Sequence, residues 1–319
     1  MSRKATNDSG PRFKAFVDYL VYLFARLAEE GICLIPGDHR ALAFGRFLGR
    51  LAYMLARDRR QVTIDNLTIA FGDERTREEI EQLSRKNFEH LGMMGVEMFR
   101  LRRWSQEETN QRLVVGGTDT FNVAWAPGRD GLYYVTAHFG SFEVLAALSK
   151  LVGARTNVMA TGLKNKFVSD RVLFSRGGGG SGVNIIPHQG VVHKVIEMLK
   201  AGETVLVLAD QRGDDTRPVW VDFFGRKVLA NGIFARFAID SGARCFPLYG
   251  LRLDDGKYLC HFGEEIPIQI TDDRVDDIQV NSQRLHNVFE AWLREYPEQG
   301  FWMHRKFKRK PKKRRKKKR

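Results

Sequence analysis

From residue 13 to about residue 113 the apolar side chains recur at helical spacing. Phe13, Phe16, Val17, Leu20, Leu23, Phe24 and Leu27 fall at i, i+3, i+4 and i+7, one stripe along a helix. Lys14, Asp18, Arg26, Glu29 and Glu30 interrupt this stretch, and its longest uncharged run before Arg26 is seven residues, too short to span a bilayer. The stripe predicts either a core-packing helix or a helix lying in a membrane interface. "ALAFGRFLGRLAYMLARDRRQVTIDNL" continues the helical period. "TREEIEQLSRKNFEHLGMMGVEMFRL" is a second long helical stretch, with Glu78 and Glu79 near its start, where a helix dipole favours acids.

Near residue 113 the texture changes. Short β-type runs appear, "LYYVTA", "TVLVLA", "CFPLYGL" and "YLCHF", separated by helical segments such as "VVHKVIEMLKAG" and "NGIFARFAIDSG". Residues 272 to 296 give one more helix, which "YPEQG" ends. Strands alternating with helices predict an α/β fold, a mixed and mostly parallel sheet flanked by helices and preceded by a helical region. The expected organisation is a disordered stretch at 1–12, a single domain over 13–307 (helical to 112, α/β from 113) and a disordered basic tail at 308–319.

Composition adjusts this picture at two points. The formal net charge is +14, but "KFKRKPKKRRKKKR" from Lys306 onward holds 12 Lys and Arg and no acid, so the body is close to neutral. Such a run repels itself and offers an electrostatic handle for phosphates. Cys33, Cys245 and Cys260 are far apart and form no C-x-x-C pair. That argues against a disulfide framework or a zinc site and fits a reducing compartment. No secretory signal is evident at the polar start "MSRKATNDSGPR".

The candidate chemistry lies in "TAHFGSFEVLAAL", residues 136 to 148. His138 follows the strand "LYYVTA", "FGS" reads as a tight turn, and "VLAALSKLV" reads as a helix. Gly140 permits an unusual φ in that turn, and Ser141 is placed as the helix N-cap. Glu143 then falls in the first helical turn. In a continuous helix residues five apart diverge by about 140°, but a strand–turn–helix lets His138 fold back. The carboxylate of Glu143 is then expected to hold one imidazole nitrogen and leave the other free as a base. A strand's C-terminal end is where open α/β sheets place their sites. Asp210 follows "TVLVLA" and is expected at another such end.

Other motifs accompany this pair in a fixed order: "RDRRQVTIDNLTIAFGD" at 57–73, "LADQRGDD" at 208–215, "VDFFGRKV" at 221–228 and "YPEQGFWMHRKFK" at 296–308. In that order the chain resembles the bacterial lipid A biosynthesis acyltransferases, the lauroyl/myristoyl acyltransferase family, from about residue 15 to 308. The resemblance implies a glycerolphosphate-acyltransferase-like fold and an O-acyltransferase that moves a fatty acyl group from a thioester to a hydroxyl of a lipid. His138 and Glu143 would be the catalytic pair. Asp210 and Gln211 would line the acceptor site, and Arg171 and Arg176 would hold acceptor phosphates. "FFG" is expected to pack or to line an acyl path rather than react.

No metal or cofactor is needed for that step. The tetrahedral oxyanion needs donors, and the backbone N–H groups around Gly140 and the helix start are the candidates. The expected donor is acyl carrier protein or acyl-CoA, with Lys164, Lys166 and Arg171 placed to dock an acidic carrier. The acceptor is expected to be a lipid A precursor or related glycolipid; the same chemistry on a phosphatidylinositol mannoside, ornithine lipid or lysophospholipid stays open. "RGGGGSG" at 176–182 lacks the Gly-Lys-Ser/Thr of a P-loop and reads as a loop over the site. The basic tail is expected to tether the protein peripherally or monotopically to the cytoplasmic face of the inner membrane. A nucleic-acid role for the tail is the competing class; the near-neutral body, without aromatic–basic interleaving, argues against it.

Overall fold

The structure is a computed structural model that describes residues 11–117, 119, 132–152, 155–160, 183–187, 190–213 and 218–307. Arg171, Arg176, Lys164, Lys166, the glycine-rich loop at 176–182 and the basic tail from residue 308 lie outside the described residues.

Five helices come first, as the period indicates: α1 Pro11–Leu34, α2 Asp38–Leu55, α3 Arg57–Phe71, α4 Arg77–Leu101 and α5 Gln106–Arg112. Ala56, at φ −88° and ψ 63°, divides the stretch "ALAFGRFLGRLAYMLARDRRQVTIDNL" between α2 and α3. A capping box starts α4: the Glu79 N–H donates to the Thr76 hydroxyl, and the Thr76 N–H donates to the Glu79 carboxylate at 2.7 Å. Helices α2 and α4 cross on glycines. A Cβ on Gly49 would come within 2.3 Å of the Phe88 carbonyl, and one on Gly92 within 2.2 Å of the Gly45 carbonyl.

The remaining described elements are α/β. Seven strands, β1 Leu113–Gly116, β2 Leu132–Thr136, β3 Thr156–Ala160, β4 Val183–Pro187, β5 Val205–Leu208, β8 Arg244–Arg252 and β9 Tyr258–Phe262, form one sheet in the order β1-β9-β8-β2-β5-β3-β4. Neighbours run parallel except β8 and β9, so the mixed, mostly parallel expectation holds. Helices α6 Leu145–Val152, α7 Val191–Lys200, α8 Ile233–Ser241 and α9 Arg274–Glu295 accompany it. Every residue of β2 is buried. One cluster of Tyr133, Val135, Val207, Phe234, Phe237 and Phe289 packs against one set of sheet side chains, and Tyr134, Leu206, Phe246 and Phe262 pack in a second cluster. That is the two-sided burial a parallel sheet requires.

The "FFG" stretch is a hairpin outside the main sheet. Strands β6 Val219–Phe223 and β7 Arg226–Ala230 pair antiparallel, with Phe223 opposite Arg226. Phe224 (φ +50°) and Gly225 (φ +65°) are the two central residues, and positive φ at both marks a type I′ turn. Such a φ strains a phenylalanine. Its ring is held edge-on by Phe71 and Trp302, and the Arg294 guanidinium lies 4.8 Å from its centroid.

The stripe on α1 does not enter the core. Phe16, Leu20, Phe24 and Leu27 are exposed, as are Phe47, Met54 and Leu55 on α2. Among the described residues no helix is long and apolar enough to cross a membrane.

Candidate active site

Two adjacent strands carry the central residues. β2 pairs with β5, Thr136 opposite Leu208, and the Ala209 N–H donates to the Thr136 carbonyl at 2.9 Å. The ladder therefore brings His138 and Asp210, each two residues past its strand, side by side at C-terminal strand ends. Nδ1 of His138 lies 2.8 Å from Oδ1 of Asp210. With a carboxylate accepting at Nδ1, the neutral imidazole carries its proton there and presents a lone pair at Nε2. The amide nitrogen of Gln211 stands 3.3 Å from that lone pair. Phe142 and Phe301 rings, 5.0 Å and 5.6 Å away, confine the imidazole.

Burial pushes the Asp210 carboxyl upward. The His138 charge and hydrogen bonds, including its main-chain N–H, and the Lys306 ammonium outweigh it and bring the group to about 2. Asp210 is thus an anion at any working pH. A pocket beside the pair is walled by His138, Asp210, Phe223, Phe301, His304 and Lys306.

A second, buried network holds the turn from behind. Phe139 bridges Gly300, and Gly140 bridges Gly250. Gly140 has φ +60°, and a Cβ there would stand 2.0 Å from the Gly250 carbonyl, so only glycine fits. Arg252 of β8 pairs with Glu97 of α4, donating from Nη2 to Oε2 at 2.8 Å and from Nε to Oε1. Its Nη2 also donates to the Ser141 hydroxyl at 3.1 Å. Ser141 in turn donates to Glu97 at 2.6 Å, and so does the Tyr258 hydroxyl at 2.9 Å. His90 links Arg252 Nη1, 3.0 Å from its Nδ1, to the Gly140 carbonyl, 3.2 Å from its Nε2. Burial, then the Arg252 charge, hold His90 well below the ordinary histidine range.

Several placements differ from those expected from sequence. The carboxylate on Nδ1 of His138 is Asp210, brought from the neighbouring strand, whereas local spacing points to Glu143 for that place. Glu143 is half-buried in a 3₁₀ turn, Phe142–Val144, ahead of α6. Ser141 does not cap that turn with its side chain; its hydroxyl is committed to Glu97 and Arg252. The Gly140 N–H donates to the Gln299 carbonyl at 2.8 Å, so it does not serve as an oxyanion donor here. Gln211 does stand beside the imidazole. Glu97, Arg252, His90, Lys306 and His286 are not singled out by the sequence, because they come from four distant segments and carry no local pattern. Only Lys306 lies inside a motif, "FWMHRKFK". The "TIDNL" motif has a visible structural role. Its Asn66 donates to the carbonyls of Trp302 and His304, both at 2.7 Å, and so fastens that C-terminal segment to α3.

Comparison with known proteins identifies the family. The family model described as "Bacterial lipid A biosynthesis acyltransferase" matches residues 11–309. The chain is 24% identical over 294 residues to the lipid A biosynthesis palmitoleoyltransferase of Escherichia coli (strain K12), covering 92% of this chain and 90% of that one. A lipid A biosynthesis acyltransferase of Shigella flexneri matches to the same extent. A match that spans both the N-terminal helices and the strand-end histidine places the whole chain in one family: it belongs to the bacterial lipid A biosynthesis acyltransferases, which are O-acyltransferases.

Proposed function

We propose that the protein transfers a fatty acyl group from an acyl thioester, on acyl carrier protein or CoA, to a hydroxyl of a lipid A precursor. The observation that carries this reading is the His138 imidazole, held through Nδ1 by Asp210 with its Nε2 lone pair turned to Gln211. A hydroxyl is a poor nucleophile near neutral pH. Nε2 takes its proton as the oxygen attacks the thioester carbonyl. Asp210 stabilises the imidazolium so formed, with Glu143 of the adjoining turn as the second acid of the site. The tetrahedral intermediate collapses, the carbon–sulfur bond breaks, and the imidazolium returns the proton to the leaving thiolate. The acceptor hydroxyl displaces the Gln211 amide from Nε2, which frees that N–H to donate to the oxyanion. Arg171 and Arg176 supply guanidinium groups for acceptor phosphates.

The enzyme works peripherally at the cytoplasmic face of the inner membrane. The exposed Phe16, Leu20, Phe24 and Leu27 of α1 and Phe47 and Met54 of α2 support this, because an apolar helix face and a polybasic segment together supply the two contacts that stable peripheral binding requires.

The test is a transfer assay with a lipid A precursor. Acyl carrier protein thioester or acyl-CoA should yield an acceptor heavier by one acyl chain in mass spectrometry. Product formed only from free fatty acid and ATP would refute the thioester reading.

A further inference from the structure

Behind Asp210 runs a second chain of contacts that the transfer step does not use. Lys306 donates from Nζ to the main-chain carbonyl of Asp210 at 2.5 Å and to Nε2 of His286 at 3.3 Å. His286, on α9, is buried, and its Nδ1 donates to the Ser282 carbonyl at 2.8 Å. That bond fixes the ring proton on Nδ1 and leaves Nε2 as an acceptor, the one role in which it can receive an ammonium proton. The Phe223 ring covers a third side of the ammonium, its centroid 4.6 Å away.

Electrostatics match this geometry. Burial pulls the Lys306 amine down, opposed by Asp210, to about 8. Burial and the Lys306 charge hold His286 at about 3, so it stays neutral. His304 of the same segment lies within reach of this cluster and feels Asp210, Lys306, His138 and Arg59 of α3. A desolvated ammonium is costly unless it is paired, and the charge it balances is the carboxylate that orients His138.

We propose that Lys306 is a positioning residue of the acyl-transfer site: anchored by His286 and Phe223, its ammonium clamps the main chain at Asp210 and so holds that carboxylate against Nδ1 of His138. The inference rests on His138 being the base. It makes the hairpin residue Phe223 and the α9 residue His286 parts of one support that ends at the imidazole. Lys306 itself touches no reacting atom in this role.

Three variants test it in the full-length protein with an acyl-thioester donor: Lys306→Met, Lys306→Arg and His286→Gln. Lys306→Met should lower kcat about 10- to 100-fold with KM changed less than about threefold, because the lost support acts on the reacting geometry. Wild type should lose activity as pH rises through about 8, where Lys306 gives up its proton. Lys306→Arg should lack that alkaline limb, since a guanidinium stays charged there. His286→Gln retains an acceptor and should stay within about threefold of wild type.

Unchanged kcat in Lys306→Met overturns the proposal, and so does a lower kcat with the alkaline limb still near pH 8, which is plain structural damage. Should Lys306→Met not fold, the arginine variant decides: an alkaline limb still near pH 8 overturns it. Retained activity in His138→Ala would instead remove the base itself, a separate failure.

Discussion

His90 and His138 border the same turn, Phe139–Gly140–Ser141, and do opposite things. Both ring nitrogens of His90 are committed to protein groups, Arg252 and the Gly140 carbonyl, and the ring is buried. His138 has one nitrogen committed to a carboxylate, and at the other stands, among the described residues, a side-chain amide that can swing away. Each histidine has a charged partner. In the proposed function, what separates scaffold from chemistry is whether a lone pair faces a place that a substrate can enter.

The contrast breaks most sharply at His138. His138→Ala should cut kcat by about 10² to 10⁴, the usual loss for a general base, with a melting temperature close to wild type. A mutant that transfers at near wild-type rate would end the distinction between the two histidines. Next comes the support behind the turn. Arg252→Met leaves Glu97 as a buried unpaired charge and should cost about 3 to 5 kcal/mol in urea denaturation. Adding Glu97→Gln should recover part of that loss. A cost below about 1 kcal/mol would mean that the network carries little of the turn.

The two acids near His138 sharpen the comparison further. Asp210→Asn removes the charge on Nδ1 and should lower kcat about 100-fold, while Glu143→Gln should lower it less. The reverse order would return the orienting role to Glu143. Acid stability tests the other histidines of the comparison. His90 and His286 are held neutral, with folded pKa values depressed below the ordinary 6.5. Their contribution is therefore fully present above pH 6.5 and is lost as pH falls below it toward about 3. Each should remove at most about 1.4 kcal/mol per pH unit. Stability measured at pH 7 and pH 5 should show the fall, with a shallower slope in His286→Gln. A stability independent of pH over this range would mean that neither ring is buried neutral.

Local pattern by itself determined the helical first third, four of the seven sheet strands and the strand–turn arrangement that puts His138 at a strand end. Those features follow from periodicity and from one glycine, and both are properties of neighbouring residues. Strands β1, β3 and β4 are not legible in the sequence because they are short, four or five residues each, and their alternation is too brief to stand out. The hairpin at "FFG" is hidden for another reason: Phe224 takes a backbone conformation its residue type disfavours, held by packing from Phe71 and Trp302.

Only the tertiary structure decided which carboxylate meets His138. The register of β2 against β5 is set by backbone ladders, and it brings up Asp210, 72 residues away in the chain. The same holds for Glu97 with Arg252, 155 residues apart, and for Lys306 with His286 and Asp210. Charges buried in this way are stable only with their partners, and partners from distant segments leave no trace in local spacing.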